Sequence, residues 1–446
     1  MADKQFDTII IGGGPGGLAA ASSLAAHQRV LVVEKDLWGG TCPNRGCDPK
    51  KMLYGVVESR VQDQRYAKHG LQGAAQIDWP ALMAFKRRYT DSVPAGTEKG
   101  LQSSGVTTVH GAAQFQDAHT ITVGAVHYTA ANIILATGAH AAKPDIPGAE
   151  LLDTSTDFLD MDTLPQTMAF IGGGYVAVEL ANIAANAGAT VHLIQHNQHL
   201  LRAFPEVYTQ RLAQIMADRG IIFHWDTSVA QVSTALAGIT LHFTDGQSLT
   251  VTKAFSAMGR PANTTDMNLA EIGVETTKGG IVVNDHLQTA QSHIWAIGDA
   301  VAKKQPKLTP VASFEGRYVA GQILQTTTAP IQYPVVPHVV FASPELGQVG
   351  VTVAAAKQAP DRYTVEEQDL SHWYTYNRIQ DKTARVTTVT DKTTKRLVGA
   401  VVLAVAGEEL LNYLSILIHQ QAPASVLQQW IPVYPSVASD LSYMYH

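Results

Sequence analysis

The chain has only two cysteines, Cys42 and Cys47, and both stand in the stretch Gly39-Gly40-Thr41-Cys42-Pro43-Asn44-Arg45-Gly46-Cys47-Asp48-Pro49-Lys50-Lys51. With no other cysteine there is no disulfide framework, and in a reducing compartment a lone close pair is the pattern of a redox-active dithiol. The competing reading is a pair of small buried hydrophobes. Residues five apart in a regular helix have Cα atoms roughly 8–9 Å apart, beyond the ~4.4–6.8 Å that a disulfide tolerates. A bridge between these thiols therefore needs a distorted turn. Pro43, which lacks a donor, and Gly46, which accepts unusual dihedrals, lie between them and allow one.

A dithiol that turns over needs a source of electrons, and the sequence offers two dinucleotide sites. The run Phe6-Asp7-Thr8-Ile9-Ile10-Ile11 leads into Gly12-Gly13-Gly14-Pro15-Gly16-Gly17, then a small-residue helix expected from Leu18 to about Ala26. A second run, Arg29 to Val33, ends at Glu34, where a carboxylate reaches a ribose hydroxyl. Gly12, Gly14 and Gly17 let the backbone approach a pyrophosphate, and the helix N-terminus that follows directs N–H groups at it. The unit recurs as Thr167–Ile171, then Gly172-Gly173-Gly174-Tyr175-Val176, a helix, and the strand Thr190–Ile194. Two dinucleotides and a hydride relay between them are the economical reading.

The remaining chain supplies boundaries. A strand ends at Ala136-Thr137-Gly138, followed by an exit through Pro144 and Pro147; a similar end recurs at Gly259-Arg260-Pro261, and a third strand ends at Gly298-Asp299. Asp299 reads either as a ligand for a ribityl hydroxyl or as the N-cap of the alanine-containing segment after it. From about Gln332 the texture changes to alternating strands, as in Val336–Phe341 and Arg385–Val389, with helices near Gly407–Gln421 and Ser425–Trp430. The expected fold is α/β: two Rossmann-like dinucleotide-binding domains plus a C-terminal α+β dimerisation domain. Its expected boundaries are 1–150 and 266–331 for the first nucleotide domain, 151–265 for the second and 332–446 for the last.

Composition narrows the partners. Thirty-two basic against thirty-eight acidic residues, a formal charge of −6 and no basic block imply neither nucleic acid nor an anionic membrane surface. Thr8 to Ala26 carries no charge over nearly a membrane's length, but its glycines and Pro15 would break a spanning helix. A cytoplasmic protein acting on a small molecule is expected.

The cysteine stretch, both glycine fingerprints, Ala136-Thr137-Gly138, Gly259-Arg260-Pro261 and Gly298-Asp299 together resemble, almost end to end, the class I flavoprotein disulfide reductases, the family of glutathione reductase, dihydrolipoamide dehydrogenase and mercuric reductase. The resemblance implies FAD on the first unit, held by Gly12, Gly14, Pro15, Gly17, Glu34, Lys35, Gly40, Thr41, Cys42, Lys50, Ala113, Thr137, Gly138, Asp299 and Thr309. It implies NAD(P)H on the second unit, at Gly172, Gly174, Tyr175, Val176, Gln195, His196, Arg202 and Gly259. Gln195 stands where NAD-specific members carry an acid, which leans the choice to NADP over NAD. It makes Cys47 the thiol beside the flavin and Cys42 the thiol that attacks a small disulfide, with Lys50 and Glu179 pairing near the flavin and Tyr175 covering it. No metal site is expected.

Two departures stand out. Family members carry a His-Pro pair near the C-terminus, supplied across a homodimer, with a Glu five residues on; here Tyr434-Pro435 and Ser439 occupy those places, with Asp440 one further. Ser22 and Thr97 stand where glutathione reductases carry an Arg and a Tyr, so a glutathione carboxylate loses its clamp. The expected activity is reduction of a low-molecular-weight disulfide, with reduction of mercury or copper ions, or a flavin redox sensor without turnover, as the alternatives.

Overall fold

Isoleucines 9, 10 and 11 are all buried because β1 (Lys4–Ile11) runs through the middle of a sheet covered on both faces. A computed structural model describes residues 4–73 and 75–446, which divide into two units: 4–52, 83–142 and 259–332 in the first, and 53–73, 75–82, 143–258 and 333–446 in the second. In the first unit β1 lies parallel to β2 (Val30–Glu34) on one side and β6 (Val126–Leu135) on the other, and β3 (Thr107–His110) extends the sheet beyond β2. The strand Ile294–Ala296 pairs parallel with the last third of β6, while β4 (Ala113–Phe115) and β5 (Thr120–Val123) join its first part antiparallel. Alternate residues feed two cores, Ile9, Leu31 and Ile133 on one face and Ile10, Val32 and Ile134 on the other.

α1 spans Pro15–Leu24, three residues earlier than its expected start at Leu18. Proline costs nothing at the first helical position, where an N–H would be unpaired anyway. The uncharged run from Thr8 is thus a strand, a turn and a helix, and no helix among the described residues is long and apolar enough to cross a membrane. α2 (Thr41–Arg45) stops at Gly46, and α3 (Cys47–Tyr66) starts anew, so the two cysteines flank a helix break as their spacing requires. α4 (Trp79–Thr90) and α5 (Val93–Ser103) follow.

The second unit holds its own parallel sheet, ordered Lys253–Ser256, Thr167–Ile171, Thr190–Ile194, Ile222–His224, with the helix Tyr175–Ala187 after the glycines. Its C-terminal part is a five-stranded antiparallel sheet, packed by the helix Gly407–His419. The strand expected over Val336–Phe341 is only His338–Val340, since Pro337 has no N–H for a ladder, and the helix expected to Trp430 ends at Gln428.

Inside this C-terminal part Glu345 is 1% exposed, accepts hydrogen bonds from the Tyr54 hydroxyl and the Glu408 N–H, and lies beside the Glu408 carboxyl. Burial, reinforced by Glu408, pushes its carboxyl up to about 9. A carboxyl whose folded value exceeds its unfolded one holds a proton that the unfolded chain has lost, so its contribution falls as pH rises from about 4.5 to 9. Glu345→Gln is expected to raise the Tm by a few degrees at pH 8, on the order of 1–3 kcal/mol, with the gain vanishing near pH 4.5; thermal melts of both proteins across pH check this.

Candidate active site

The glycine turns of the first unit converge on one edge of its sheet. Gly12, after β1, adopts φ +117°, and a Cβ there would lie 2.3 Å from the Ala136 carbonyl at the end of β6, so no other residue fits this crossing. Glu34, at the end of β2 and buried, accepts the Gly13 N–H at 2.7 Å and the Asp36 N–H at 2.8 Å, which fixes the turn and its own carboxylate together. Thr137 and Gly138 follow β6, where the Thr137 hydroxyl donates to the Asn263 carbonyl. Gly298 and Asp299 follow the strand Ile294–Ala296, so all four loops sit at the carboxyl ends of parallel strands, the usual ligand edge of such sheets. Asp299 caps no helix: it is the middle of a single turn, Gly298–Ala300, preceded by Ile297, and the helix Thr309–Ile323 begins after Leu308.

These residues fit a flavin dinucleotide. Gly14 precedes α1 and no side chain caps that helix, so first-turn N–H groups are open to a pyrophosphate. Lys35 is exposed beside this edge, Gly40 and Thr41 open α2, and Ala113 starts β4.

The two cysteines are free thiols, Cys42 half-buried and Cys47 exposed, and each shifts the titration of the other. The Thr309 hydroxyl, at the first turn of its helix, lies 3.6 Å from the Cys47 sulfur. The neighbouring Cys42 thiol lowers the Cys47 thiol, and Thr309 and the Lys50 charge add to it, bringing it down to about 6. Cys42 moves the other way, raised by the neighbouring Cys47, by burial and by the carboxylate of Asp48. One sulfur of the pair thus holds the negative charge and the other the proton.

Cys42 also faces a cleft of about 690 Å³, within the range of small-molecule sites. Ser22 on α1 and Thr97 on α5 line it, as does Tyr89 on α4. Asp48 accepts a hydrogen bond from the Cys42 thiol at 3.8 Å and another from the Tyr89 hydroxyl at 2.6 Å. Sequence reasoning did not assign Asp48 or Tyr89. A charged residue directly after the second cysteine is a visible signal for Asp48, whereas Tyr89 lies 41 positions away and only folding brings it there.

In the second unit Gly172 repeats the conformation of Gly12, at φ +125° against the Ala257 carbonyl. Gln195 takes the place of Glu34: it is buried, and its amide donates to Asn197 and to the His199 carbonyl. His196 and Arg202 are exposed, and His199 faces Glu206 at 3.3 Å. Tyr175 opens its helix, with Val176 beside it, and its half-buried ring meets Phe204 edge-on at 6.0 Å. Glu179, 6% exposed, accepts the Phe341 N–H. Gly259, at φ +125°, belongs to the first unit, where its carbonyl accepts the Ala142 N–H. Tyr434 precedes Pro435 through a cis peptide, is 69% exposed and stacks on Tyr374. Asp440 is buried, its carboxyl raised by burial despite the hydrogen bond from the Ser439 hydroxyl.

Comparison with known proteins agrees with this architecture. The glutathione reductase of Burkholderia cepacia is 29% identical over 99% of this chain and 98% of its own length, and the chloroplastic/mitochondrial glutathione reductase of Pisum sativum is 34% identical over 80% of this chain and 67% of its own. The HOCl-induced flavoprotein disulfide reductase RclA from Escherichia coli superposes with a TM-score of 0.89 at 25% identity, covering 98% of this chain and 99% of that one. The pyridine nucleotide-disulphide oxidoreductase model matches residues 6–316 and the dimerisation-domain model of the same group matches 336–445. With its fingerprints, its dithiol and its C-terminal sheet inside those matches, the chain belongs to the pyridine nucleotide-disulphide oxidoreductase family and is an NAD(P)H-dependent flavoprotein disulfide reductase.

Proposed function

We propose that the protein reduces a low-molecular-weight disulfide through Cys42, with NADPH as the preferred electron source. The observation that carries the reading is the asymmetry of the thiol pair. Cys42 lines the open cleft and holds a proton, while Cys47 sits against the Thr309 hydroxyl under the Lys50 charge and is biased to thiolate. Cys42 is then the sulfur that attacks the substrate, and Cys47 the one that closes the ring behind it.

Gly12, Gly14, Pro15, Gly17, Glu34, Lys35, Gly40, Thr41, Ala113, Thr137, Gly138, Asp299 and Thr309 are assigned to the FAD, which when bound supplies the passage of electrons from nicotinamide to the dithiol. Lys50 is assigned to the flavin, and Glu179 is a buried carboxyl of the nicotinamide-nucleotide unit. Gly172, Gly174, Tyr175, Val176 and Gly259 are assigned to the nicotinamide nucleotide. The absence of an acid at Gln195, with the exposed Arg202 beyond it, favours a ribose phosphate over two free hydroxyls.

The substrate is less anionic than glutathione disulfide. Ser22 and Thr97 line the cleft and bring no cation to it, and the charged group beside Cys42 is the carboxylate of Asp48. The protein acts as a homodimer whose C-terminal segment completes the partner's site, and the exposure of Tyr434 is compatible with that role. It is assigned to the cytoplasm from its lack of a disulfide framework.

Steady-state NAD(P)H oxidation by the flavin-loaded protein against hydroxyethyl disulfide, lipoamide, glutathione disulfide, coenzyme A disulfide, copper(II) and mercury(II) tests the activity. The expected result is turnover with an uncharged disulfide above that with glutathione disulfide, and turnover with metal ions alone would overturn it. NADPH is expected to give the higher kcat/KM, and Arg202→Ala to lower that for NADPH selectively; a wild-type preference for NADH sinks the assignment.

The NAD(P)H-reduced protein is expected to show a long-wavelength absorbance from the Cys47 thiolate, absent in Cys47→Ser. A thiol lowered in the folded protein loses its charge as pH falls through its folded value, so titration should remove the band near pH 6. Persistence of the band in Cys47→Ser would reverse the assignment of the two sulfurs.

Tyr434→Phe should slow disulfide turnover by about tenfold with flavin reduction by NADPH unchanged, measured by stopped-flow absorbance. Unchanged turnover in a variant that remains dimeric would reduce Tyr434 to an interface residue.

A further inference from the structure

The acceptor of the Cys42 S–H comes from the same chain, six residues on and just past the helix break. Asp48 lies in the first turn of α3, one residue after Cys47, and its Oδ1 receives the Cys42 S–H at 3.8 Å. Its Oδ2 is held by the Tyr89 hydroxyl at 2.6 Å, and both Asp48 and Tyr89 line the cleft that Cys42 faces. We propose that Asp48 is a catalytic residue of the disulfide step, carrying the proton of Cys42 to the thiolate that leaves. The proposal rests on the reading that Cys42 is the attacking sulfur.

The step balances with the groups present. The Cys42 proton passes to Asp48 as the sulfur's electron pair forms a bond to one sulfur of the substrate. The substrate S–S bond breaks, its pair leaves on the second sulfur, and that thiolate takes the proton back from Asp48. The Cys47 thiolate then attacks the Cys42 sulfur, closes the protein disulfide and expels the first sulfur of the substrate, which is protonated from water. The two electrons come from the dithiol, which NAD(P)H regenerates in the activity already assigned.

Several features support a proton carrier over a charge that merely begins a helix. The carboxylate touches a reacting atom, and a proton taken from one sulfur and returned to another leaves it as it began. Its second oxygen is occupied by Tyr89, whose hydroxyl is pushed up to about 12 by that hydrogen bond and so holds the carboxylate in place without giving up its own proton. The charged and titratable groups around the pair are Cys47 and Lys50 on α3, Tyr89 on α4, and Arg260, whose charge acts on Cys47. None of these is hydrogen-bonded to Cys42 as a carboxylate is. The position also answers the departure at the C-terminus, where Tyr434 brings a phenol and no imidazole.

The test uses the flavin-loaded protein, reduced in advance with NADPH, and two uncharged disulfides. Hydroxyethyl disulfide releases a basic alkyl thiolate that needs a proton; dithiodipyridine releases a weakly basic thiolate that does not. Single-turnover reoxidation of Asp48→Asn is expected to be slower by about 10²-fold with hydroxyethyl disulfide and by less than about tenfold with dithiodipyridine. Because the ratio is taken within one preparation, any loss of folded or flavin-bound protein cancels. Asp48→Glu, which restores a carboxylate, should recover most of the hydroxyethyl disulfide rate. Equal losses with the two disulfides would mean a positional role and overturn the proposal, as would no loss with either. Cys42→Ser keeps the premise separate: reoxidation surviving in that variant refutes the attacking-sulfur reading itself, whereas its loss alongside an unaffected Asp48→Asn refutes only the relay.

Discussion

The contact on which the redox turn depends is the packing of α1 against the helix Thr309–Ile323. A Cβ on Gly316 would stand 2.3 Å from the Gly16 carbonyl, so the two backbones meet with no side chain between them. Nearly three hundred residues separate these helices in the chain, yet one delivers the glycine turn and the other the Thr309 hydroxyl that reaches Cys47. Any larger residue at the crossing would force the helices apart and withdraw that hydroxyl along with the cleft wall formed by Leu18 and Ser313.

The helix break at Gly46 then decides what the two sulfurs can do. One continuous helix would hold them too far apart to exchange, so the turn is what converts a spacing into a reactive pair. The pair is polarised by its surroundings. Thr309 and Lys50 favour a charge on Cys47, and Asp48 opposes one on Cys42. Two chemically identical side chains are thereby given different tasks by groups from the first turn of α3 and from the helix Thr309–Ile323.

The two nucleotide units show the same economy with one exchange. Each has a strand, a glycine crossing against the next strand's carbonyl, a helix and a second strand. After that second strand one unit has Glu34, bound to its own glycine turn, and the other Gln195, bound to the polar turn of Asn197 and His199. The carboxylate that braces the glycine turn in one unit is thus replaced in the other by a neutral amide that braces the turn after the strand.

The amino-acid sequence by itself determined the strand, glycine turn and helix of both units, the thiol pair and the need for a break within it, because each is a matter of local spacing and backbone chemistry. The family resemblance drew attention to Tyr434, Ser22 and Thr97, single positions that are legible once a motif is taken as the register. It left Asp299 divided between two roles, and only the fold showed that no helix begins there. The strand at His338–Val340 was overestimated because alternation carries no record of where a proline ends a ladder. What the tertiary structure alone decided is the surroundings of Cys42: Asp48 was in plain view but unassigned, and its partner Tyr89 comes from another helix. Proximity across 41 residues is set by how helices pack on a sheet, and no local pattern encodes it.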